Sequence, residues 1–241
     1  MPDAAPMDAA AIRRDAGAKQ RAKRSLWQMD VGPPRERQAY LYAILDAARD
    51  KRIYPALRRL ARTEQVLGLY QGRSATELAA VAPYLVCLGI TDRVFDWLWD
   101  EGWGESWGVF LWSLVSTDTL RAHFRRLTMV RTDAGERLLF RFYDPRVLGE
   151  FLPTCEAAQL REMFGPDQRF MLERDGGREI ASFRALEQVG VGQPAGGIGA
   201  ARDQVSTSLT GGAGARGILQ LVQDTVRLDS ADVAQGELAR G

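Results

Sequence analysis

Asp46, Glu105 and Asp144 are the residues whose type and placement could do chemistry in this chain. Three carboxylates meeting at strand ends would suit a divalent metal or an acid–base pair. Their spacing does not require them to meet. Asp144 also has a structural role open to it: a carboxylate followed by Pro145 is the pattern of a helix N-cap with proline at the first helical position. The rest of the inventory is thin. His123 is the single histidine and stands in no motif. Cys87 and Cys155 lack metal-ligand spacing and read as small buried apolar groups. There is no phosphate loop and no Gly-x-Gly-x-x-Gly behind a strand. The expectation is therefore no catalytic, cofactor-binding or metal-binding residue. A small enzyme using Asp46, Glu105 and Asp144 is the alternative.

Aromatic side chains offer a second kind of chemistry. Trp97, Trp99, Trp103, Trp107, Phe110 and Trp112 fall within sixteen positions. Most fit a core filled by large rings. One or two exposed at the surface would be anchors for a protein partner, since Trp, Tyr and Arg carry much interface energy. Gly102, Gly104 and Gly108 among them predict a tight loop where the backbone turns beneath the rings.

The element that must position these groups is the stretch 138–148. Phe140 and Phe142 alternate with Arg141 and Tyr143, the period-2 pattern of a strand with two unlike faces. Arg141 sits between apolar neighbours and, if covered, needs a carboxylate or several carbonyls. Asp144 then opens a helix that ends at Leu152, before Pro153. Around this turn the apolar runs 40–45, 66–70, 84–88, 109–112, 170–172 and 180–183 predict strands, and 129–143 predicts a hairpin about Asp133, Ala134 and Gly135. Helices are expected near Pro55, after a capping box Ser74–Glu77, after Thr91, from Ser116 or Thr117 and after Thr154. The predicted class is α/β (α+β), with a mixed central sheet of about five to seven strands flanked by short helices.

Four segments are expected. Residues 1–37 form a basic flexible arm, and its sharper reading is a piece that docks on an acidic partner with Trp27 as anchor. Residues 38–188 form the α/β domain. Residues 189–217 are a Gly/Ala/Ser/Thr-rich linker, and 218–241 hold a short amphipathic helix from Ile218, Leu221, Val222 and Thr225. Net charge is +1, which disfavours nucleic acid as a partner, although residues 13–24 are locally basic. No run approaches the roughly 20 apolar residues of a membrane helix, and no signal-peptide core is present, so a cytoplasmic protein is expected.

Taken together, several ordered segments resemble a known family. These are 41–50 with Ile53, Tyr54 and Pro55; 82–86; Gly102-Trp103-Gly104 and Ser106-Trp107-Gly108; and 139–148 with 151–155 and 164–166. The chain is similar, over roughly residues 40–172, to the domain of unknown function carried by bacterial type VI secretion effector adaptors, or effector chaperones. The resemblance implies a non-enzymatic protein that binds a toxic effector in the cytoplasm and helps load it onto the spike protein of the secretion tube. Within it, Arg141, Asp144 and Pro145 are expected to be structural, and Trp103, Trp107, Tyr143 and Arg146 to lie nearest a partner surface. Family members usually carry a helical, variable cargo lobe after the shared domain. This chain departs there, with low-complexity residues and one modest helix expected.

Overall fold

A computed structural model of the chain describes residues 8–27, 40–88, 93–131, 135–165, 168–188 and 218–229. A seven-stranded sheet divides the molecule into two apolar layers. Its strands are β1 (Tyr40–Asp46), β2 (Val66–Gly68), β3 (Pro83–Leu88), β4 (Gly108–Ser113), β7 (Gln168–Arg174), β8 (Glu179–Gln188) and β9 (Ile218–Arg227). They lie in the order β2-β3-β1-β4-β7-β8-β9, and every pairing is antiparallel. A separate two-stranded ribbon is made by β5 (Met129–Arg131) and β6 (Arg137–Leu139).

Strand β1 is central and buried on both faces, which explains its unbroken apolar run. Leu41, Ala43 and Leu45 point into one layer, and Tyr42 and Ile44 into the other. The first layer is covered by α1 (Ala9–Arg14), α2 (Ala16–Trp27), α3 (Ile53–Leu60) and α5 (Arg93–Trp97), which leads into a π-helical turn, Leu98–Gly102. The short α4 (Arg73–Glu77) follows β2 in the chain. The second layer is covered by α6 (Thr117–Leu127), α7 (Pro145–Phe151) and α8 (Ala157–Phe164). Helix α6 begins as expected, with the Ser116 hydroxyl accepting the Thr119 N–H at 3.3 Å, and it buries Leu120, Phe124 and Leu127.

The N-terminal segment departs from the expected flexible arm. Residues 9–27 form two packed helices. Ala18, Ala22 and Leu26 recur at four-residue spacing and are buried with Ile12 against the sheet layer. Small side chains let the helix approach closely, while its lysines reach sideways. Lys19 pairs with Asp96 at 3.1 Å and Asp100 at 3.0 Å, and Lys23 with Asp96 at 3.1 Å. The acidic surface this basic segment docks on belongs to the chain itself. Trp27 is partly buried, edge-on to Phe95 at 4.7 Å.

The C-terminal helix is also corrected. Residues 218–227 are strand β9, paired with β8 along its whole length. Apolar residues in this short run fit both periods. Leu219 and Leu221, two apart, are the ones that reach the core, and the β-branched Val222, Thr225 and Val226 suit a strand. Strand β8 supplies the pairing partner that an isolated segment lacks. The expected linker, 189–217, lies outside the described residues, as does the Thr91 cap.

Two local expectations fail in smaller ways. Gly72, at φ +59°, is the N-cap of α4, so Ser74 falls inside that helix. Glu156 takes the N-cap place of α8, its N–H donating to Gln159 Oε1 at 2.8 Å, while the Thr154 hydroxyl donates back to the Phe151 carbonyl at 2.8 Å.

Candidate functional site

The stretch expected to be a strand leading into a helix begins instead mostly as a turn. Strand β6 ends at Leu139, and one further bond, Phe140 N–H to the Thr128 carbonyl at 3.0 Å, closes the ladder. Phe142 and Tyr143 are adjacent and both buried, which a pleated strand with one covered face cannot achieve. The chain instead coils, with Asp144 N–H donating to the Arg141 carbonyl at 3.0 Å, and sends both rings inward.

That coil sets up two ion pairs. The Arg141 guanidinium binds the carboxylate of Asp46, which is buried at the end of β1 and also accepts the Ala48 N–H at 3.0 Å. Asp144 caps α7, accepting the Arg146 N–H at 3.0 Å with Pro145 at the first helical positions. Arg146 folds back on the same carboxylate, with Nε at 2.9 Å and a terminal nitrogen at 2.6 Å. Burial raises the Asp144 pKa, but the Arg146 hydrogen bonds outweigh it and hold the carboxyl below its usual range. Tyr143, buried and hydrogen-bonded to Tyr70, has its hydroxyl pushed far up. Arg141 thus ties the turn to the end of β1, and Asp144 and Pro145 open α7.

Glu105 is not part of this arrangement. Its carboxylate is exposed and pairs with Arg13 at 3.0 Å. Among the described residues, no group of three His, Cys, Asp or Glu side chains is placed to hold a metal ion. His123 packs between α6 and α8, its Nε2 3.1 Å from the Met163 carbonyl, and burial lowers its pKa. Cys155 is buried, and burial pushes its thiol up to about 11.

The aromatic loop is interior. Trp103 and Trp107 are 2% and 3% exposed and Tyr143 is 1% exposed, so three of the four residues expected nearest a partner face the core; Arg146 alone is exposed. Trp103 stacks on Trp99 at 4.8 Å and donates its Nε1–H to the Gly177 carbonyl at 2.8 Å. The glycines behave as expected of a backbone turning under rings. A side chain at Gly102 would enter the Trp107 ring, and one at Gly104, where φ is +85°, would collide with the Gly176 carbonyl at 2.8 Å. The loop is held by a group the sequence did not single out. Buried Glu173, on β7, accepts the N–H groups of Gly104 at 2.8 Å and of Ser106, which sits at φ +58°. Burial raises Glu173 to about 7 against the pull of those hydrogen bonds.

What is open to solvent lies beside the turn. An open depression of about 500 Å³ is lined by Asp144, Arg146, Val147, Glu150 and Phe151. Phe151 meets Phe140 edge-on at 4.8 Å, and Phe140 leads into the ribbon, where Met129, Val130, Leu138 and Leu139 are all exposed. Residues 41–162, about half of the chain, match the family described as Domain of unknown function (DUF4123). The chain belongs to this family. No curated protein and no solved structure matches it.

The family segment runs from β1 into α8 and includes the turn, the depression and the ribbon. Helices α1 and α2 and strands β7 to β9 lie outside it, yet they complete its core: β4 pairs with β7, and Ile12 and Leu26 pack in the same cluster as Leu41 and Ala43. The alternation at 140–143 extends back through Leu138 and Leu139, so the pattern alone groups them with that strand and not with an exposed ribbon. Two adjacent apolar residues in a three-residue arm must point to opposite faces, and that was the available signal.

Proposed function

We propose that this protein is a non-enzymatic adaptor, or chaperone, that binds a type VI secretion effector in the cytoplasm and helps load it onto the spike protein. The observation that carries the reading is the set of exposed apolar residues on the ribbon, Met129, Val130, Leu138 and Leu139, with exposed Val147 on α7 and the half-buried Phe140 and Phe151 beside the turn, all within the family segment. Exposed apolar surface of this kind is where a holding protein meets its partner. The carboxylates near it serve arginines: Asp46 is taken by Arg141 and Asp144 by Arg146. The resemblance to effector adaptors supplies the partners, a toxin-like effector and a spike protein.

The test is a tagged pull-down of the full chain from its native bacterium, read by mass spectrometry, beside a Val147→Asp variant. Val147 is exposed, so the variant should melt at the same temperature. A spike protein and a large toxin-like effector should be recovered with the native chain, and at least one should fall several-fold with the variant. Recovery of neither partner with the native chain would overturn the adaptor reading.

A further inference from the structure

We infer that the β5–β6 ribbon and the adjoining face of α7 are the docking surface for an acidic, apolar-bearing segment of a partner protein. The inference rests on the adaptor reading and says which surface is used and what chemistry it takes. The register pairs Met129 with Leu139, Val130 with Leu138 and Arg131 with Arg137. Alternate pairs of a ribbon point to opposite faces, so Met129 and Leu139 share a face with the two arginines, and Val130 and Leu138 occupy the other. All six residues are exposed. A ribbon this short is barely stable by itself, and apolar groups on both faces find no layer to enter.

Charge selects the occupant. Arg131 and Arg137 stand directly opposite one another, a like-charge pair that destabilises a ribbon. No carboxylate among the described residues forms an ion pair with either. Arg146 is already held by Asp144, and exposed Arg126 stands against exposed Glu136 and Glu150, so the opposed Arg131 and Arg137 are the charges an occupant meets. A segment bearing carboxylates beside apolar residues would cover the apolar groups and relieve the opposed arginines together. A second copy of the chain would bring four such arginines into one contact.

The experiment places a photo-reactive phenylalanine analogue at position 138 of the full chain, and in a separate chain at position 78, an exposed leucine just after α4. Both are irradiated in the native bacterium, and the cross-linked peptide is identified by mass spectrometry. Position 138 should cross-link a segment of a second protein that is rich in Asp or Glu and carries apolar residues. The double change Arg131→Glu with Arg137→Glu keeps a like-charge pair and should lower that yield about tenfold while the melting temperature holds. A cross-link to a second copy of the chain, to a basic segment, or a yield unmoved by the charge reversal would overturn the inference. Partner cross-links from position 78 with none from 138 would overturn it while leaving the adaptor reading intact. Silence at both positions together with an empty pull-down would sink both.

Discussion

At Arg141 one side chain joins the strand-to-helix turn to the sheet. Asp46 is buried and Arg141 is partly open to water. Removing the arginine leaves a buried carboxylate without its counter-charge. Pairs broken this way cost about 3–5 kcal/mol, and the solvent reaching Arg141 moves the expectation to the low end. Arg141→Ala should therefore destabilise the protein by roughly 2–3 kcal/mol in urea titration. The double variant Asp46→Asn with Arg141→Met should recover most of that loss. Neither side chain is then charged, and the amide at position 46 keeps an oxygen for the Ala48 N–H. A double variant as unstable as Arg141→Ala alone would show that the turn, and not the charge, was lost. The need for a partner at Arg141 was visible in the sequence, since an arginine among apolar residues must be paired. That the partner is Asp46, almost a hundred residues away, was not, because no local pattern encodes a contact across that separation.

Elements at the two ends of the chain show where periodicity misleads. Residues 218–227 fit helical spacing and strand alternation alike, and β8, with its edge otherwise bare, settled the choice. Strand β9 also contributes Leu219 and Leu221 to one layer, and Leu228 just beyond it to the other. Burying a leucine is worth about 1.5–3 kcal/mol. Deleting residues 218–241 therefore removes several kcal/mol from a stability that is typically about 5–15 kcal/mol, and uncovers an edge strand. The truncated chain should melt at a clearly lower temperature and associate on size-exclusion chromatography. An unchanged melting temperature would mean that β9 is an appendage. The N-terminal helices carry the same lesson. Their basic residues give no local sign of pairing because the acidic groups that receive them, Asp96, Asp100 and Glu105, lie between 73 and 92 positions further on.

For the molecule as a whole, Glu173 makes stability depend on pH in an unusual direction. It ties the tryptophan loop to β7, and Arg13 of α1 reaches the same loop through the Trp103 carbonyl. Its folded pKa is raised from 4.5 to about 7, chiefly by burial. The folded state thus holds the proton more tightly than the unfolded state. The contribution of this group is full below about pH 4.5 and is lost as pH rises to about 7. The change is worth about 3 kcal/mol across that window. In paired melts at pH 5 and pH 8, the native chain should lose more stability on going to pH 8 than Glu173→Gln does, whatever the constant cost of the amide. Parallel pH profiles for the two proteins would refute the assignment.

The sequence by itself determined the local units: the core strands around 40–45, 84–88 and 109–112, the Ser116 and Asp144 caps, the glycine-bearing loop under large rings, and the α/β class. Each follows from alternation, capping chemistry or side-chain size within a few residues, and such interactions are written in sequence order. Only the tertiary structure decided the rest. It turned the tryptophans inward, gave Asp46 to Arg141 and Glu105 to Arg13, closed the basic N-terminal helices on the chain's own acidic groups, and left the β5–β6 ribbon exposed. Those outcomes depend on which layer covers which face, and burial is a property of the assembled sheet rather than of any stretch within it.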